Sequence, residues 1–396
     1  MKKNLRLGSL LLLLAVILIV FSFLPVLAGK PQPPPPAPVV EPTGNLVMTS
    51  APQLLARIGG YARVYDWVNS KFNNTWSGVT GDNSNVREGA IGDVDNDGQK
   101  EVVSWNTVAT TSKGKTTFTR NLKIWNNGDA SGSPSITKAM SGSAQFMEIG
   151  DVDNDGNNEL VLAVLSNDIE IWSCTASDCT KEATIYDVGD GGLTIADADN
   201  DGYNELLIGL GEFGVKDYYC HGVVVKYLNG TYSVVGDLGP ANTQCCIDDI
   251  SVGNLDGVAG NEIFGSGYCG GNIYVWKYAN DAYSQVWTAQ RAACFDQNNE
   301  IADVNGDGSN EFAFSEMCND GSNKLVVYSY AGNNIWTNLG GYSGSHGNLQ
   351  DAMVSGDVDS DGKAEIVLQD QVWKWSGSAM SLIQNLTGTI YDAAMG

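Results

Sequence analysis

Residues 91–103 read IGDVDNDGQKEVV. Asp93, Asp95 and Asp97 alternate along the chain, Gly98 follows, and Glu101 closes the run, so four carboxylates share nine residues. Like charges at that spacing repel unless solvent or a cation separates them. The form D-x-D-x-D-G-x-x-E offers side-chain oxygens at positions one, three, five and nine, and a backbone carbonyl at seven. Glycine at six permits the sharp turn that brings them to one centre. Hard oxygen donors without His or Cys select calcium over zinc or copper. The loop differs from an EF-hand, whose twelve residues lie between helices.

The pattern occurs six times. Complete sets are Asp93/Asp95/Asp97/Glu101, Asp151/Asp153/Asp155/Glu159, Asp197/Asp199/Asp201/Glu205 and Asp357/Asp359/Asp361/Glu365. A fifth, Asp303/Asn305/Asp307/Glu311, replaces one carboxylate by an amide oxygen and is expected to bind. The sixth, from Asn254 to Glu262, keeps Asp256 but has Val258 at position five, and is read as degenerate. About five calcium sites are therefore expected. These loops hold 21 of the 46 acidic residues, against 22 Lys and Arg. So acidic a chain lacks the basic patch that nucleic acid requires.

The first positions of successive loops lie 58, 46, 57, 49 and 54 residues apart. That period suits a four-stranded antiparallel unit, the blade of a β-propeller. Each unit has an apolar stretch into the loop, a β-rich stretch after it and an aromatic-ended strand such as DIEIW (168–172) or IYVWKY (273–278). A fourth strand closes it. No helical periodicity is sustained after the N-terminal segment. The C-terminal TIYDAAMG (389–396) reads as a first strand. GNLVMTS (44–50), ARVYDW (62–67) and KFNNTWSG (71–78) read as strands two, three and four. A seventh blade built from both ends is expected, with a six-bladed ring as the alternative; closure removes exposed sheet edges. Trp125, Trp172, Trp276 and Trp375 are expected at equivalent third-strand positions, packing between blades.

The repeats resemble the FG-GAP/VCBS repeats of integrin alpha-chain propellers and of many secreted microbial proteins, over roughly residues 44–396. The resemblance implies that the loops join strands one and two on one face of the ring. It also implies partner binding on the opposite face, without assigning any residue to it.

Residues 1–28 have a basic start and an apolar run from Leu10 to Ala28. They read either as a cleaved signal peptide or as an uncleaved membrane anchor. Residues 29–43 are a proline-rich linker. The expected location is extracellular, secreted or held at the cell surface. Eight cysteines then suggest disulfides. One local pairing is Cys174–Cys179, Cys220–Cys245, Cys246–Cys269 and Cys294–Cys318; an alternative joins Cys269 to Cys294. His221 beside Tyr219 is the catalytic candidate. The expected role is binding or adhesion to an extracellular glycan or protein, with a polysaccharide lyase or other glycan-cleaving enzyme as the alternative.

Overall fold

The computed structural model describes residues 42–58, 60–80, 89–189, 191–209, 221–239, 247–267, 272–290, 294–318, 323–332, 336–344, 353–387 and 392–396. The expected N-terminal signal or anchor, most of the linker, Tyr219 and Cys220, Cys245, Cys246 and Cys269 lie outside them. Among the described residues no helix is long and apolar enough to cross a membrane.

Residues 42–396 form a seven-bladed β-propeller, each blade a four-stranded antiparallel sheet. The first blade holds β4 (Gly89–Gly92), β5 (Glu101–Ser112), β6 (Lys115–Trp125) and β7 (Ile136–Met140). The second holds β8 (Ala144–Gly150), β9 (Glu159–Val164), β10 (Asp168–Cys174) and β11 (Cys179–Ile185). The third holds β12 (Leu193–Ala196), β13 (Glu205–Ile208), β14 (Val223–Leu228) and β15 (Thr231–Asp237). The fourth holds β16 (Ile247–Gly253), β17 (Glu262–Gly267), β18 (Asn272–Ala279) and β19 (Ala282–Gln290). The fifth holds β20 (Cys294–Ala302), β21 (Glu311–Cys318), β22 (Asn323–Tyr330) and β23 (Trp336–Gly344). The sixth holds β24 (Met353–Gly356), β25 (Glu365–Leu368), β26 (Gln371–Trp375) and β27 (Met380–Asn385). The seventh joins β28 (Asp392–Met395) to β1 (Gln53–Ile58), β2 (Tyr61–Trp67) and β3 (Phe72–Val79).

Both ends of the chain thus close the ring, and Gln53 and Gly396 exchange backbone hydrogen bonds at the seam. The closing blade differs from expectation in one strand. Its second strand is QLLARI (53–58), buried at every position, and not residues 44–50. A second strand is covered by neighbours on both faces, so it reads as a continuous apolar run rather than an alternating one. Residues 44–50 instead run outside the sheet. Leu46 exchanges backbone hydrogen bonds with Gly128 and Asp129, and its side chain is buried with Trp76 and Trp125.

The core is divided into seven apolar clusters, each drawn from two adjacent blades. Burial between blades therefore holds neighbouring blades together around the ring. Residues just before the acidic loops are small where the next blade approaches. A Cβ added to Gly253 would stand 2.7 Å from Ile301 Cγ2, and one on Gly150 3.2 Å from Ile195. Trp125, Trp172 and Trp276 occupy equivalent buried positions, as expected, but the fourth member is Trp373 rather than Trp375. Trp373 pairs with Ile366 as Trp276 pairs with Ile263, directly after the same β-bulge.

Candidate metal sites

Every acidic loop joins the first strand of a blade to the second. Position one follows the first strand, and the position-nine glutamate opens the second. The turn forms from the sequence's own polar atoms. In the first blade Asp93 Oδ2 accepts the Gly98 N–H at 3.0 Å, and Glu101 Oε2 accepts the Val94 N–H at 2.9 Å. The equivalent glutamate bonds recur at Glu159, Glu205, Glu262, Glu311 and Glu365. The sixth residue is a glycine with positive φ in five loops, from 84° at Gly362 to 93° at Gly156. A side chain there would be strained.

These bonds leave the remaining oxygens facing inward. Carboxylate oxygens of Asp93, Asp95 and Glu101 lie within 4.8 Å of one another. So do those of Asp151, Asp153 and Glu159, of Asp197, Asp199 and Glu205, and of Asp357, Asp359 and Glu365. Asp93 Oδ1, Asp95 Oδ2 and Asn126 Oδ1 are buried without a hydrogen-bond donor. A cluster of inward oxygens lacking donors fits a hard cation. Burial, and then the neighbouring aspartates, push Glu101 and Glu159 up to about 8 and Glu311 up to about 7. Each Glu is also held by backbone N–H groups, which oppose the rise.

Three loops differ, and the loop sequences do not show why. Lys226 Nζ lies 2.8 Å from Asp199, 2.5 Å from Asp201 and 2.9 Å from Glu205. Lys374 Nζ lies 2.6 Å from Asp359, 2.9 Å from Asp361 and 2.8 Å from Glu365. Lys277 Nζ lies 2.5 Å from Asp256 and 3.0 Å from Glu262. Burial works against the charge on each ammonium, but its carboxylate partners outweigh that and raise its pKa. In the Asp303 loop the Asn305 amide lies inside, its Nδ2 donating to Asp307 at 3.0 Å and Glu311 at 2.8 Å.

Neighbouring loops are also tied to one another. Asn154 Oδ1 accepts the Asn204 N–H at 2.7 Å, and Asn204 Nδ2 donates to the Asp151 carbonyl at 2.9 Å. The pairs Asn96–Asn158 and Asn200–Asn261 repeat this clasp. The asparagine whose Oδ1 accepts, at position four, has positive φ, 62° at Asn96 and Asn154 and 65° at Asn200, which asparagine tolerates. Asparagine at positions four and eight was the signal for this contact.

Residues 303–368 match the FG-GAP-like repeat family. One segment of the seven-bladed propeller is thus similar to FG-GAP-like repeats. The matched segment runs from the Asp303 loop to the end of β25 and so includes the Asp357 loop. No curated protein matches the chain. Among solved structures, the chain is similar to a protein from Lactobacillus plantarum at 13% identity. That match covers 87% of this chain and 99% of that one, with a TM-score of 0.58. It is similar to the periplasmic gluconolactonase of Pseudomonas aeruginosa at 12% identity, covering 87% and 99%, with a TM-score of 0.56. A putative 6-phosphogluconolactonase from Bacteroides fragilis matches at 11% identity over 88% and 98%, with a TM-score of 0.55. At such identities the likeness is one of fold alone.

Two other expectations fall within the described residues. Cys174 and Cys179 form a disulfide across the β10–β11 turn. The β20–β21 register sets Cys294 opposite Cys318. His221 is half-buried, with Nδ1 2.8 Å from Asp237 Oδ1, which also accepts the Gly239 N–H.

Sequence reasoning missed a second acidic group. First strands line a cavity of about 380 Å³ that includes Glu148, Asp249 and Glu300. Burial raises Glu148 to about 7, Asp249 to about 6 and Glu300 to about 8. Mutual repulsion adds to this for Glu148 and Glu300. Asp249 accepts the Ile250 and Asn299 N–H groups, and Glu300 accepts from Ser355.

Proposed function

We propose that this chain is an exported, calcium-stabilised propeller that binds a glycan or protein through the face opposite its acidic loops. The cation reading is supported by carboxylates converging at the same place in successive blades. Calcium is the cation that fits oxygen-only donors of this number.

The binding reading is carried by the β5–β6 hairpin. Its turn at Lys113 and Gly114 lies at the end of the blade opposite the Asp93 loop, because the strands alternate in direction. The ladder continues to Ser112–Lys115, beyond the buried part of β5, so the hairpin's outer half is exposed on both strands. It presents Thr110, Thr111, Thr116 and Thr117 beside Phe118, which is 54% exposed with Arg120 5.6 Å from its ring. Hydroxyls beside an open aromatic face suit sugar or peptide contacts. A pre-formed hairpin also loses little entropy on binding.

A glycan-cleaving enzyme is the second reading. The His221–Asp237 contact favours it, since a carboxylate at Nδ1 orients an imidazole as a base. One experiment separates the two. The calcium-loaded chain is incubated with acidic and neutral polysaccharides, following both retention and the ultraviolet absorbance of unsaturated products. Retention that is lost in Phe118→Ala supports the binding reading. New absorbance abolished by His221→Ala supports the enzyme and overturns it.

A further inference from the structure

The ladder between second and third strands explains which loops contain lysine. It runs outward to the pairs Val102–Trp125, Leu160–Trp172, Leu206–Val225, Phe312–Tyr328 and Ile366–Trp373. In the fourth blade it reaches one pair further, Glu262–Lys277. The next third-strand residue in each blade therefore stands opposite the position-nine glutamate. It is Lys in the third, fourth and sixth blades, and Asn126, Ser173 and Ser329 in the first, second and fifth.

We propose that Lys226, Lys277 and Lys374 are tethered cations that replace the metal in their loops, leaving the Asp93, Asp151 and Asp303 loops as the three calcium sites. This rests on the calcium reading above. It departs from the five sites that the loop sequences alone suggest, because two complete acidic sets, at Asp197 and Asp357, already hold an ammonium from within the blade.

The ammonium positions are the independent observation. In three equivalent loops a positive charge sits at the centre of the inward oxygens, which marks that centre as a cation position. Admitting calcium there would require expelling an ammonium from two or three charge-assisted hydrogen bonds. It would also strand the lysine in an acidic wall. The first blade's loop keeps donor-poor oxygens and has no lysine at the equivalent third-strand position. Asp93 Oδ1, Asp95 Oδ2 and Asn126 Oδ1 are buried with no donor, and Asn126 is the residue standing in the lysine position. In the second blade Ser173 is paired with Glu182, which brings one more carboxylate beside Asp153 and Asp155. In the fifth, a half-turn about the last side-chain bond exchanges the amide nitrogen of Asn305 for its oxygen. No rotation makes a lysine a ligand.

The seventh blade follows the same rule without an acidic loop. Gln53 stands where the other blades have glutamate, opposite Asp66, and its Nε2 donates to Asp66 at 2.6 Å. Each blade thus holds at this corner a metal site, an internal ammonium or a neutral amide.

The test is the number of calcium ions bound by the full chain, read by equilibrium dialysis and by native mass spectrometry. Three per chain is expected, and four in Lys374→Met. A count of five or six in the unaltered chain overturns the lysine assignment while leaving the calcium reading intact. A count of zero overturns the calcium reading itself. The unaltered chain gives a second measurement, independent of whether Lys374→Met folds. Amine acylation mapped by mass spectrometry is expected to spare Lys226, Lys277 and Lys374 equally with and without calcium, while labelling the exposed Lys113. Calcium-induced labelling of the three lysines overturns the proposal.

Discussion

Lys277 faces Glu262 across the β17–β18 ladder, with Nζ 3.0 Å from a carboxylate that is 2% exposed. The same ammonium reaches Asp256. Removing the lysine leaves Glu262 buried without a counter-charge. Lys277→Met is expected to destabilise the chain by about 1–3 kcal/mol, the cost of stranding a buried polar group. The lysine's partial exposure keeps the loss below that of a fully buried pair. Denaturant melts measure it. A loss under a few tenths of a kcal/mol would mean that the contact contributes nothing.

The clasp between loops gives a second expectation. Asn154→Ala removes the acceptor for the Asn204 N–H and the donor to its carbonyl, and places alanine at φ 62°. The loss is expected at about 1–3 kcal/mol from two hydrogen bonds and the left-handed backbone. Asn154→Gly should recover part of it, since only the backbone strain is relieved. Equal stability of the two variants would contradict the backbone argument.

Blade spacing is testable at Gly253. A Cβ there would meet Ile301 of the next blade at 2.7 Å. Gly253→Val is expected to cost about 1–3 kcal/mol by overpacking. The combination with Ile301→Val should be less destabilised than the sum of the two, because the residues share one contact. Strict additivity would show that they do not meet.

The axial carboxylates set a pH dependence. Glu148, Asp249 and Glu300 are the charged groups lining the cavity among the described residues, and no cationic side chain faces them from any strand around it. Their folded pKa values are raised, so the folded state holds protons that the unfolded chain has released. The stability they provide is therefore complete below about pH 4 and is lost as pH rises through about 6 to 8. At saturating calcium, the melting temperature should fall as pH rises from about 4 to about 8 and level off above it. Glu300→Gln, neutral throughout, should flatten that fall. An unchanged slope would contradict it.

Much of this was legible in the sequence, and the failures have a common cause. The acidic loops carry their carboxylates within nine residues, so spacing alone located them and their blades, while the likeness of TIYDAAMG to other first strands placed the first strand of the closing blade. Residues 53–58 were missed as a strand because a second strand is covered on both faces and lacks the alternation of a half-exposed one. Trp373 was mistaken for Trp375 because the third-strand register depends on a bulge that composition does not reveal. Lys226, Lys277 and Lys374 lie 17–29 residues from position one of the loops they enter, and only cross-strand pairing brings them there. Glu148, Asp249 and Glu300 belong to three separate blades, and only ring closure assembles them.

If cations hold the acidic corners of the blades together, thermal unfolding in calcium must differ from unfolding in chelator at matched ionic strength. Each site at tenfold excess over its dissociation constant adds about 1.4 kcal/mol, so several sites together should raise the melting temperature by many degrees. Asp95→Ala, which removes an inward oxygen from the Asp93 loop, should lose part of that rise. A melting temperature that does not move between calcium and chelator would contradict the account.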